Sequence, residues 1–247
     1  MMPASVRAIP LLLMVCLVGC SAAPAPSSDR RSGQTHADGL DTAISPSPSP
    51  TVTAIPRWSV DRIDPELRAD LVGRTWHRGC PVPLGDLRVV TVRYHGFDGE
   101  VHAGPLVLNE KVAADVLWVF RRLFRHDFPI RNVALAHRWH PTRPSDWYDT
   151  SDNTASFNCR PVTNGTTLSQ HSYGWAVDVN PLENPYVEGD GTVLRRAAKP
   201  YLDRSQDRPG MIHPGDLVVR SFARIGWSWG GDWHTLKDYM HFSLTGH

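Results

Sequence analysis

Leu87-Arg88-Val89-Val90-Thr91-Val92-Arg93-Tyr94, followed by His95-Gly96-Phe97-Asp98-Gly99, is the stretch that decides the fold class. Its β-branched residues predict a strand, and the turn residues after it predict a reversal. Val101 to Leu108 then reads as a partner strand. Asn109 is placed to cap a helix beginning at Glu110, because Val112, Val116, Leu117, Phe120 and Leu123 recur at helical spacing before Pro129 ends it. The Arg121-Arg122 pair on that helix reads as a solvated face.

Outward from this unit, Ile130 to Trp139 alternates as a further strand, and the second half is loop-rich, with short apolar strands and one more helix at about Pro214 to Ile225. Strands and helices that mix without a regular βαβ rhythm predict an α+β fold, with a small antiparallel sheet, flanking helices and long loops. Residues 57–247 hold no second linker and no internal repeat, so they are expected to form one domain. At 41% hydrophobic and 21% charged the chain is not disordered throughout. A formal net charge of +1 gives no global field and argues against nucleic-acid binding.

The N-terminal segment has a different composition. Arg7 supplies a positive start, and Ile9 to Val18 form an apolar run of about ten residues, too short to span a bilayer. Residues 1–19 therefore read as an export signal. Leu17-Val18-Gly19-Cys20 resembles the lipobox of bacterial lipoproteins, which implies cleavage before Cys20, lipidation of its thiol and a lipid anchor on the outer face of the bacterial cell membrane. An ordinary secretory signal with an incidental cysteine is the competing reading. Residues 20–56 are rich in Pro, Ser, Ala and Thr, including Ser45-Pro46-Ser47-Pro48-Ser49-Pro50, and cannot bury enough surface to offset the entropy of ordering. Such a tether of roughly 35 residues, at about 3 Å each, reaches up to about 100 Å.

Cysteine usage follows from this topology. Cys16 leaves with the signal and Cys20 is lipidated, so Cys80 and Cys159 remain to pair outside the cytoplasm. The bridge would close a loop of about 80 residues, worth on the order of 4 kcal/mol by loop entropy. A two-cysteine zinc site is the alternative, but neither cysteine lies in a C-x-x-C.

The residues that carry chemistry lie in Ser169-Gln170-His171-Ser172-Tyr173-Gly174-Trp175-Ala176-Val177-Asp178 and in Asp238-Tyr239-Met240-His241-Phe242-Ser243-Leu244. If Ala176 to Asn180 is a strand, Ala176, Asp178 and Asn180 share one face while Val177 and Val179 enter the core. By the same alternation His241 and Ser243 oppose Phe242 and Leu244, so both strands can present a ligand to one point. Two imidazoles, one carboxylate and an open position for water make a common catalytic zinc set, and bound zinc lowers a water's pKa towards about 7. Asp238, three residues before His241, is placed to accept the water's proton. Arg160 and Arg138 are both available to stabilise an oxyanion.

These two motifs, S-x-H-x-x-G-x-A-x-D and D-x-x-H-F, resemble the zinc D-alanyl-D-alanine carboxypeptidases of the VanY type, a group that includes phage L-alanyl-D-glutamate endopeptidases and shares the hedgehog/DD-peptidase fold. With Asp152-Asn153-Thr154-Ala155-Ser156-Phe157-Asn158-Cys159-Arg160 ahead of them, the resemblance covers roughly residues 130–247. It implies His171, Asp178 and His241 as Zn2+ ligands, Asp238 as the acidic base, and Arg160 as the arginine that meets a carbonyl oxygen or a substrate carboxylate. It also implies Ser169 as a residue orienting a ligand and Gly174 as a point of close backbone packing between the two ligands. The family's base is often Glu, and its arginine usually stands farther upstream.

Other readings stay beside this one. His137-Arg138-Trp139-His140 resembles a metal cluster, but strand positions three apart face opposite ways. His234 reads as a surface turn residue, with a substrate-side role as the alternative, and Trp227, Trp229 and Trp233 read equally as core or as an aromatic wall. H-E-x-x-H and P-loop signals are absent from the sequence. The expected protein is a monomeric zinc peptidase acting on peptidoglycan stem peptides. The alternatives are a catalytically silent peptidoglycan- or protein-binding module on the same fold, and a structural lipoprotein.

Overall fold

A computed structural model describes residues 55–138, 152–163, 165–193 and 195–246. The signal segment, Cys20, nearly all of the tether, Trp139 and His140 lie outside the described residues. Ser59–Arg62 (β1), Leu87–His95 (β2) and Val101–Asn109 (β3) form a three-stranded antiparallel sheet in that order, with β2 and β3 paired from Leu87↔Asn109 to His95↔Val101. The expected hairpin is therefore present. A short helix α1 (Pro65–Leu71) lies between β1 and β2 and is capped by Asp64, whose carboxylate accepts the Leu67 N–H at 2.7 Å.

The predicted helix is α2 (Glu110–Arg125), and Asn109 caps it by accepting the Lys111 N–H at 3.1 Å. Glu110 in the first turn and Arg122 and Arg125 in the last complement the helix dipole. Its apolar stripe, Val112, Val116, Leu117, Phe120 and Leu123, is buried throughout.

Over its described residues, 130–138, the stretch Ile130 to Trp139 does not form the expected strand. Its buried positions are Ile130, Val133 and Leu135, a spacing of three and then two that no strand presents on one face. The segment meets its neighbours through single bridges, such as Val133↔Thr154, and through side chains, with Asn132 Nδ2 donating to Asn153 Oδ1 at 2.7 Å.

The second half places Ala176–Asp178 (β4), Tyr186–Val187 (β5), α3 (Leu217–Arg224), Ser228–Trp229 (β6), Lys237–Asp238 (β7) and His241–Ser243 (β8) in chain order. One small sheet has the order β4-β8-β6, and β5 pairs with β7 as a two-stranded ribbon. β4 stops at Asp178, two residues short of the expected Asn180, because Asn180 turns to a φ of +46°. There its side chain accepts from Arg131 N at 3.0 Å and donates to the Pro129 carbonyl at 2.8 Å. Val177 and Val179 enter the core as expected. α3 begins three residues later than Pro214 because Asp216 is its cap, accepting the Val219 N–H at 3.0 Å.

One apolar core joins the two halves. Val90, Val92, Leu106 and Leu108 of the hairpin pack with the α2 stripe and with Val177, Phe222, Trp227, Trp229 and Phe242. The rings of Phe222 and Phe242 stack with centroids 4.1 Å apart. Since Val177 lies beside Asp178 and Phe242 beside His241, the core fixes both strands that end in ionisable side chains. A second cluster behind the hairpin gathers Leu71, Leu87, Val107, Leu135 and Phe157. It includes Cys159, which is bonded to Cys80. The expected bridge forms, and it takes both sulfurs away from any metal. The architecture is thus mixed α and β with small antiparallel sheets and few helices. Among the described residues no helix is long and apolar enough to cross a membrane.

Candidate metal centre and active site

Asp178 and His241 are directly opposed residues of the antiparallel pair β4 and β8, so their side chains emerge on the same face. His241 Nδ1 lies 3.0 Å from Asp178 Oδ1. His171 comes from the 3-10 turn Gln170–Tyr173 and places its Nε2 3.2 Å from Asp178 Oδ2. One carboxylate therefore sits between two imidazoles. Their nitrogens and carboxylate oxygens lie within 4.8 Å of one another, the spacing from which a single cation could be held. Both histidines are about 95% buried, at 5% and 6% exposure, which fixes their rings.

Local structure explains the turn. Ser169 Oγ accepts the His171 N–H at 3.3 Å and so caps the turn. His171 Nδ1 faces the Ser156 carbonyl at 2.6 Å, which makes that nitrogen the donor and leaves Nε2 to face Asp178. Ala155 and Asp178 exchange backbone hydrogen bonds of 3.1 and 2.9 Å, so the strip Thr154–Ser156 backs the site.

Gly174 ends the turn at a φ of +67°. Its close neighbour is the backbone of Asn109, not a segment between the ligands as expected. A Cβ there would meet Asn109 N at 2.5 Å, while Asn109 N–H donates to the Gly174 carbonyl at 3.1 Å. This contact locks the His171 turn to the hairpin sheet. Gly174→Ala should lower stability by on the order of 2 kcal/mol, read from urea unfolding; a midpoint equal to wild type would contradict the contact.

A pocket of about 610 Å³ opens over the cluster. Its wall includes His171, Asp178, His241, Asp238 and Arg160. Trp233, Leu168, Val162 and Leu236 add an apolar side. Among the described residues, every one that lines the pocket lies at or beyond Arg160. Trp227 and Trp229 are core residues, whereas Trp233 lines the pocket with its ring 5.4 Å from that of His241. His234, expected on a surface turn, is exposed at the rim of the same pocket.

The two arginines separate. Arg138 Nε donates to Asp70 Oδ2 at 2.6 Å, and Arg138 is absent from the pocket wall. His137 meets the same Asp70 at 3.0 Å, so the cluster read in His137-Arg138 is an ion-pair knot. Arg160 is pinned to the His171 turn by its backbone, its N–H donating to Ser172 Oγ at 2.9 Å and its carbonyl accepting from Ser169 N at 3.0 Å.

The electrostatics divide the two aspartates. Burial alone would raise the Asp178 carboxyl, but the imidazoles of His171 and His241 hold it well below the usual range. Burial, and then the Asp178 carboxylate, push Asp238 up to about 7, against the pull of His241, Arg195 and Arg160. Asp238 Oδ1 and His241 Nε2 are buried polar atoms without hydrogen-bond partners. A carboxylate locked as an anion, flanked by two oriented imidazoles with a proton-exchanging carboxyl nearby, fits a divalent cation and hydrolytic chemistry.

Sequence reasoning missed the Ser156 carbonyl, Tyr186 and Leu236. A backbone carbonyl leaves no trace in side-chain identity. Tyr186 and Leu236 belong to no spaced motif.

Residues 163–244 match a family model described as D-alanyl-D-alanine carboxypeptidase. The matched stretch contains His171, Asp178, Asp238 and His241 and begins after Arg160. The resemblance read from the two motifs holds over that stretch and supports a peptidase. No curated protein and no solved structure matches the chain.

Proposed function

We propose that this chain, similar through residues 163–244 to the D-alanyl-D-alanine carboxypeptidases, is a zinc metallopeptidase that hydrolyses an amide bond in peptidoglycan stem peptides. The observation that carries the reading is the convergence of His171, Asp178 and His241 on one point in the wall of the pocket that also holds Asp238 and Arg160. A hedgehog/DD-peptidase arrangement is the fold we assign to it.

His171 through Nε2, Asp178 and His241 would hold the ion. Zinc bound there would polarise a scissile carbonyl and acidify a water molecule. Asp238 takes the proton from the attacking water and returns it to the leaving amine; a carboxyl near neutrality suits both transfers. A cation beside Asp178 would offset part of that carboxylate's charge and so favour the ionised form of Asp238. Arg160 steadies the developing oxyanion or a substrate carboxylate from the pocket wall. The Ser156 carbonyl keeps the His171 ring in the orientation that offers Nε2.

The lipobox resemblance and the Pro/Ser-rich segment support an extracytoplasmic location on a lipid anchor, where cell wall lies within reach of a tether. A catalytically silent binding module is the second reading, and the buried, unpartnered Asp238 Oδ1 in the same pocket favours turnover over it. Defined muropeptides incubated with the purified chain separate the two. Loss of one terminal alanine marks a carboxypeptidase and an internal cut marks an endopeptidase. Wall binding with every muropeptide intact would establish the silent module.

A further inference from the structure

We infer that Tyr186 is a substrate-contacting residue of this pocket, its hydroxyl donating a hydrogen bond to the oxygen that gains charge as the amide is cut; this rests on the peptidase reading above. Tyr186 is the residue directly opposite Asp238 in the β5 and β7 ribbon. Opposed residues of an antiparallel pair project to the same side, and both side chains line the pocket. The phenol therefore stands beside the carboxylate that handles the water's proton.

Its base is rigid. Asn184, fully buried two residues earlier, donates to the Val179, Asn180 and Gly210 carbonyls and accepts from Ile212 N at 2.7 Å. Tyr239 N–H donates to the Pro185 carbonyl at 3.3 Å, tying Tyr186's neighbour to Asp238's neighbour. The hydroxyl itself donates to Glu188 Oε2 over a long 3.3 Å. A contact of that length leaves the O–H rotor able to turn to a better acceptor. Burial, and then Glu188, raise the phenol above its ordinary range, so it keeps its proton at any working pH.

The Trp233 indole N–H is committed to the Gly246 carbonyl at 2.8 Å, and Arg160 keeps one guanidinium nitrogen, Nη1, on the Pro161 carbonyl at 3.0 Å, so the phenol would act beside Arg160. Tyr186 supplies a neutral donor whose backbone the ribbon already positions, the property that makes a hydrogen bond stronger in the transition state than in the ground state.

The test is Tyr186→Phe in the full, zinc-loaded chain, which removes one oxygen and keeps the ring. Expected are a fall in kcat of about 100-fold, KM within about threefold, unchanged metal content, and about 100-fold weaker binding of a phosphinate isostere of the cleaved bond. A kcat and a phosphinate affinity within threefold of wild type overturn the assignment. Loss of metal together with activity also overturns it, because Tyr186 would then hold the site together. A wild-type chain that neither cuts the peptide nor binds the phosphinate removes the peptidase reading itself, a result distinct from both.

Discussion

Replacing Asp238 with alanine is expected to leave metal content unchanged and to lower turnover by at least about 100-fold. The separation follows from position. Asp238 shares the pocket wall with the ligand set, yet the two imidazoles converge on Asp178. Its own Oδ1 is buried without a hydrogen-bond partner, as suits an atom that exchanges a proton with a transient guest. The carboxyl must be ionised to accept that proton, so activity carried by Asp238 is lost as pH falls through its pKa and is present above it. Asp238→Asn keeps the shape and should abolish that acid limb along with turnover. Turnover equal to wild type in either variant would remove Asp238 from the mechanism. Metal loss in both would make it a ligand.

His241→Ala is expected to lose bound metal and activity together. The imidazole is held by its strand partner Asp178, by the neighbouring Phe242 in the core and by the Trp233 ring, so alanine leaves a hole that no adjacent donor fills. It also leaves the half-buried Asp178 carboxylate with a single imidazole beside it. Metal analysis after dialysis, alongside hydrolysis rates, reads both effects. Full occupancy in the variant would refute the ligand set. His171→Ala should behave alike, since its Nε2 is the other nitrogen aimed at Asp178.

What the sequence made legible divides by physical cause. The hairpin from Leu87, the Asn109 cap and the α2 stripe depend on local periodicity and capping, and each forms within a residue or so of its expected bounds. The bridge between Cys80 and Cys159 followed from counting the cysteines beyond the N-terminal segment. Residues 130–138 misled because apolar content imitated alternation, while their backbone is satisfied by isolated bridges and by Asn side chains. Asn180 misled for a related reason: its side chain replaces a ladder partner and turns the chain left-handed.

The site was legible where side-chain type carries the chemistry. His171, Asp178, Asp238 and His241 stand in spaced motifs, and the fold brings all four to one pocket. The choice between Arg160 and Arg138 was not readable from spacing, because it is decided by Asp70, a residue of α1 far away in sequence that engages Arg138. The Gly174 contact with Asn109 was hidden in the same way, since it joins residues 65 positions apart. Tyr186 needed the β5 and β7 register, which two-residue strands do not announce in sequence.

The most direct measurement is mass analysis of a defined stem-peptide muropeptide after incubation with the full chain, zinc-loaded in one arm and stripped by chelator in the other. One amide bond cut in the loaded arm, none in the stripped arm and recovery on adding zinc back is the predicted result. Equal cleavage in both arms, or an intact muropeptide despite one zinc per chain, would contradict the account.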